Sequence, residues 1–210
     1  MINVNHKSNL QNEEQVLIES EWVKSIKIGD HKAFELLFNF YCQRLISFAQ
    51  RYVIDIQIAE NIVQEVFVSV WSQRNKLNPS KMIKSYLFTA VKNQALNELR
   101  HRDVQTKSQG RLVDLSTKDT DPEQELTTDE INNAIHRAID ELPEKCREIF
   151  MMNRFDELKY AEIADVLNIS IKTVETQMGR ALKKLRERLK TILPMIYIVF
   201  IILLHLIITS

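Results

Sequence analysis

Apolar residues recur every three to four positions along most of this chain, and that rhythm commits it to helices packed on helices. The clearest run is Ile58, Ala59, Ile62, Val63, Val66, Phe67, Val70 and Trp71. Before it, Phe34, Leu37, Phe38, Tyr41, Leu45 and Phe48 keep the same spacing; after it, Ile83, Leu87, Ala90, Val91, Ala95 and Leu99 do so. Asn78-Pro79-Ser80 separates the last two as a break and helix start. Three stripes that face one another make a small helical bundle. Only 3 glycines and 4 prolines occur in 210 residues, so helices meet few interruptions and sheets joined by tight turns are disfavoured. With 45% hydrophobic residues, a packed core is within reach and wholesale disorder is excluded.

Periodicity fades over 105–128, a polar, acidic stretch containing Gly110 and Pro122, which reads as a flexible linker. The expected architecture is therefore all-α: a helical domain over 19–104, the linker over 105–128, a second helical domain over 129–190, and an apolar tail over 191–210. The 28 basic and 28 acidic residues cancel, which by itself argues weakly against a nucleic-acid partner. They are segregated, however. Lys172, Arg180, Lys183, Lys184, Arg186, Arg188 and Lys190 crowd one segment, and Asp114, Asp119, Asp121, Glu123, Glu125, Asp129 and Glu130 another. Opposite patches imply two surfaces with different tasks.

The strongest local signal runs from Lys159 to Arg180 and reads as a helix-turn-helix. Ala164 gives the small residue needed where the second helix crosses the first. Asn168 tolerates the positive φ of the turn, Ile169 plugs the corner, and Ser170 suits the N-cap of the next helix. Val174 and Met178, four apart, bury that helix. Ser170 at its start and Lys172, Thr173, Thr176, Gln177 and Arg180 along its outer side are the candidate DNA contacts. Cations meet phosphates or guanine edges, while hydroxyls and amides bond base edges in the major groove. A polar helix face is common, so the joint pattern and the basic run to Lys190 carry this reading, not any one residue.

With both halves in view the chain resembles a bacterial sigma factor of the extracytoplasmic-function type, within the sigma-70 family, from about Trp22 to Leu189. Ala59 to Phe67 resembles the segment that docks on core RNA polymerase, which implies that role for Asn61, Gln64 and Glu65; the family usually has aspartate at the Asn61 position. Ile83 to Arg100 resembles the helix for the minus-ten element, where helix and preceding loop capture a base of the opened non-template strand. That implies contacts from Lys84, Lys92, Asn93, Asn97 and Arg100, with Tyr86 or Phe88 available for stacking. The helix-turn-helix lies where the family reads the minus-thirty-five element, with Asn168 replacing a usual glycine and Glu175 standing where a basic residue is frequent. The resemblance implies core RNA polymerase, promoter DNA and an anti-sigma factor as partners, and a cytoplasmic location. It also gives the acidic linker a candidate role as a polyanion mimic in the polymerase channels.

Nothing in the chain points to covalent chemistry: no phosphate-binding glycine loop and no zinc-protease motif occurs, and no cofactor is implied. Cys42 and Cys146 read as two buried thiols, and residues 1–15 are polar without a signal-peptide pattern. The apolar run from Ile192 to Ile208 would span roughly 25 Å as a helix, against ~30 Å for a bilayer core. It stays open as an inner-membrane anchor, a segment packed on the protein or a partner, or an unselected extension. Two other functions stand beside the sigma reading: a stand-alone helix-turn-helix regulator and a membrane-tethered signalling adaptor.

Overall fold

The computed structural model describes residues 3–109 and 128–190, with side chains described over 14–102 and 132–190. Within them the chain forms α1 (Asn3–Lys27), α2 (His31–Ala49), α3 (Ile56–Ser72), a 3₁₀ turn (Arg74–Lys76), α4 (Ile83–Gln109), α5 (Thr128–Asp140), α6 (Glu144–Arg154), α7 (Tyr160–Leu167) and α8 (Ile171–Leu189). No strand occurs among the described residues. The helices gather into two compact units, one holding α1–α4 and the other the bulk of α5–α8.

In the first unit the three stripes meet as their spacing requires. Leu37, Leu45 and Phe48 of α2, Val63 and Val70 of α3, and Leu87, Phe88 and Val91 of α4 are completely or almost completely buried. Each such side chain stabilises the fold by about 1.5–3 kcal/mol relative to exposure. Edge-to-face ring contacts join the helices: Phe38 to Phe67 at 4.9 Å and Phe48 to Phe88 at 4.9 Å. Local chemistry sets the helix ends. Gly29, at φ 91°, closes α1, and the next residue, Asp30, caps α2 by accepting the N–H groups of Lys32 and Ala33. Asp55 caps α3 through the N–H of Gln57 at 2.8 Å.

In the second unit α8 packs against α5 and α6. Ile149 and Met152 of α6, Ile163 of α7, and Val174, Met178 and Ala181 of α8 are buried. Pro143 precedes α6, where a missing N–H costs the helix nothing.

The structure departs from the sequence expectations at three places. α1 begins at Asn3, although 3–18 carries no clear stripe, and α4 runs to Gln109, five residues past the end expected for the first domain. In both stretches a helix-breaking residue is absent, and the loss of an apolar stripe does not end a helix. Cys42 is half-buried rather than buried, unlike Cys146. Burial pushes the Cys42 thiol above its usual pKa, and the Glu60 carboxylate adds to that shift. Of the linker expected over 105–128, residues 105–109 and Thr128 are helical and residues 110–127 lie outside the described residues, as does the apolar tail over 191–210. Among the described residues no helix is long and apolar enough to cross a membrane.

Candidate nucleic-acid interface

The turn between α7 and α8 is closed by backbone bonds. Asn168 sits at φ 52°, in the left-handed region. Its N–H donates to the Asp165 carbonyl at 3.3 Å, and the Ile169 N–H donates to the Ala164 carbonyl at 3.0 Å. This paired pattern at a helix C-terminus requires one left-handed residue, which asparagine supplies at lower cost than other residues with a side chain. At the other end of α7, Glu162 reaches back to accept the N–H of Lys159 at 2.6 Å. Ser170 then caps α8 by accepting the Thr173 N–H at 3.1 Å.

Those bonds bear on the six candidate contacts of α8. The Ser170 and Thr173 hydroxyls lie 2.8 Å apart, and the Thr176 hydroxyl donates to the Lys172 carbonyl at 2.8 Å. Half-buried Gln177 accepts a hydrogen bond from the Cys146 thiol at 3.1 Å through Oε1. Lys172 and Arg180 are exposed and have no ion pair among the described residues. Exposed cations continue along the helix at Lys183, Lys184 and Arg186, whereas Arg188 is paired with Glu141 at 2.6 Å. Val174 and Met178 face the interior, so the polar side is presented as one strip.

In the first unit Asn61, Gln64 and Glu65 are exposed on α3, opposite its buried stripe. Glu65 is not isolated: Oε2 accepts from the Gln94 amide of α4 at 2.5 Å. On α4, Asn93, Asn97 and Arg100 are exposed and Lys84 and Lys92 half-exposed. Arg100 donates to Asn97 Oδ1 at 3.0 Å. Of the two aromatic candidates, Phe88 is fully buried and Tyr86 is 43% exposed, so only Tyr86 can meet an unstacked base. Sequence reasoning missed the Gln94 and Cys146 partners. Both contacts join residues far apart in the chain, and neither residue type announces such a role.

A capped helix-turn-helix with a cationic outer strip, carried on an all-α chain, defines a DNA-binding transcription regulator. The sequence matches the description "Sigma-70 region 2" over residues 37–104 and "Sigma-70, region 4" over 132–185. It is 26% identical over 177 residues to the ECF RNA polymerase sigma factor SigW of Bacillus subtilis, covering 80% of this chain and 95% of that protein. It is 28% identical to the RNA polymerase sigma-H factor of Pseudomonas aeruginosa, covering 83% and 95%. The ECF RNA polymerase sigma-E factor of Escherichia coli K12 is 26% identical, covering 86% and 96%. The fold of this chain is similar to that of CnrH, solved in complex with the cytosolic domain of CnrY, at a TM-score of 0.58 and 20% identity, covering 83% of this chain and 98% of that one. It is also similar to the sigma factor RpoE of Bartonella quintana, solved with the anti-sigma factor NepR, at a TM-score of 0.56 and 21% identity, covering 76% and 98%. The chain belongs to the sigma-70 family of bacterial RNA polymerase sigma factors, among its extracytoplasmic-function members.

Proposed function

We propose that the chain divides promoter recognition between its two units while bound to core RNA polymerase. As a sigma factor it directs promoter-specific transcription initiation. In this reading α3 docks on the polymerase through Asn61, Gln64 and Glu65. α4 and the loop before it meet the opened non-template strand at the minus-ten element through Lys84, Lys92, Asn93, Asn97 and Arg100. α8 enters the major groove at the minus-thirty-five element through Ser170, Lys172, Thr173, Thr176, Gln177 and Arg180. The observation that carries this division is the presence, in order on one chain, of both matched regions, each with most of its candidate residues exposed.

The roles within α8 differ by chemistry. Lys172 and Arg180 supply phosphate contacts, Gln177 offers its amide N–H to a base acceptor while Oε1 is held by Cys146, and Ser170 chiefly holds the helix end. The chain performs no covalent step; the polymerase does. Regulation comes from an anti-sigma factor, the kind of partner with which the Bartonella quintana relative was solved. A mobility-shift assay tests the division of labour. Duplex carrying both elements is expected to shift with the holoenzyme and hardly at all with the chain alone. A tight shift by the chain alone, unchanged by core polymerase, would instead identify a stand-alone regulator.

A further inference from the structure

We propose that α1 acts as a clamp on the loop preceding α4, with Ser20 and Lys27 as its positioning residues. This rests on the reading that the loop and α4 meet the opened strand. The Lys27 ammonium donates to the Leu77 carbonyl at 2.7 Å, and the Ser20 hydroxyl donates to the Pro79 carbonyl at 3.1 Å. Ser20 and Lys27 lie two turns apart on one helix, so they share a face. The two carbonyls flank Asn78; the Leu77 side chain is buried and its N–H donates to the Arg74 carbonyl at 3.1 Å, whereas the segment after it is exposed or half-exposed up to Ile83. Pro79 has no N–H to donate, and the short internal bonds run from the Ser80 N–H to Asn78 Oδ1 at 2.9 Å and from the Lys81 N–H to the Asn78 carbonyl at 3.0 Å.

The clamp is itself firmly seated. Val23 and Ile26 of α1 are buried, and buried Glu19 accepts a hydrogen bond from the Tyr41 hydroxyl of α2 at 2.5 Å. Between the anchored carbonyls the loop exposes Asn78, beyond them it exposes Lys81 and Met82, the last 40% exposed, and Tyr86 in the first turn of α4 is 43% exposed. An amide, a cation and two apolar surfaces suit an unstacked base, provided the loop holds one conformation. Removing both donors spreads the loop over several conformations. The apparent affinity then falls by the fraction of loops still competent to bind.

The test uses holoenzyme assembled from purified core polymerase and the full chain. Fork-junction DNA with a randomised single-stranded non-template overhang is selected on wild-type holoenzyme, and the winning sequence, labelled with fluorescein, becomes the probe. Loss of two hydrogen bonds is expected to weaken the probe's binding by about tenfold in the Ser20→Ala, Lys27→Met double variant. Core affinity should stay at the wild-type value. The Ser20→Thr, Lys27→Arg variant, which keeps both donors, should restore probe binding. Wild-type probe affinity in the double variant would overturn the clamp, as would a matching loss of core affinity, which would mark Ser20 and Lys27 as fold anchors only. If selection on wild-type holoenzyme yields no preferred overhang, the underlying reading of the loop fails, and the clamp with it.

Discussion

Asn168 illustrates how one side chain fixes the geometry of a whole reading head. At φ 52° it pays no more than asparagine must for a left-handed turn, and the turn sets the angle between α7 and α8. Replacing it with alanine should cost about 1 kcal/mol, since an ordinary side chain in this region is disfavoured by roughly 1–2 kcal/mol. Asn168→Gly should leave stability equal or slightly raised; urea unfolding of both variants checks the pair. Ser170 allows two roles to be separated. Ser170→Ala should destabilise by about 1 kcal/mol through loss of the cap. Ser170→Asp retains a capping oxygen, so its unfolding midpoint should stay near wild type while its charge repels the DNA backbone. Duplex binding by the Ser170→Asp holoenzyme should therefore fall without a matching fall in stability. Equal DNA affinity in wild type and Ser170→Asp would remove Ser170 from the interface.

At the scale of the element, α8 carries two opposed faces whose failures look different. Met178 is 2% exposed, and Met178→Ala should destabilise the second unit by about 2–5 kcal/mol. Thermal unfolding followed by circular dichroism should register that loss. Arg180 lies on the other face, so Arg180→Ala should leave stability nearly unchanged. In the holoenzyme it should reduce the slope of log affinity against log salt by about 0.9, the share of one phosphate contact. An unchanged slope would place Arg180 away from the backbone. The faces themselves were legible in the sequence because burial follows the helical repeat: Val174 and Met178 are spaced to face inward, and they are buried, with Ala181 one turn further on. What the repeat does not encode is the partner of a polar side chain. Gln177 reads as a free base contact until α6 brings Cys146 to it, and Glu65 reads as a free polymerase contact until α4 brings Gln94 to it. α1 escaped for a related reason. Its early turns have no apolar stripe, and Ser20 and Lys27 bond carbonyls 59 and 50 residues away, at Pro79 and Leu77.

For the whole molecule, neutral net charge conceals a segregation of basic and acidic residues along the chain. The cationic strip of α8 belongs to one compact unit, and the α3 and α4 surfaces to another. In the proposed division neither unit alone offers the contacts for a complete promoter, so affinity should appear only when polymerase holds both against DNA, each raising the effective concentration of the other. Family membership follows from the order of the two matched regions; which base each residue reads does not, because the departures at Asn168 and Glu175 lie on the reading head itself. The most direct test is run-off transcription from a template selected by the holoenzyme, with purified core polymerase in the presence and absence of the chain. A discrete transcript that requires the chain, and that disappears when either the minus-ten or the minus-thirty-five block is scrambled, is the predicted result. A transcript pattern indifferent to the chain, or dependent on only one block, would contradict the bipartite account.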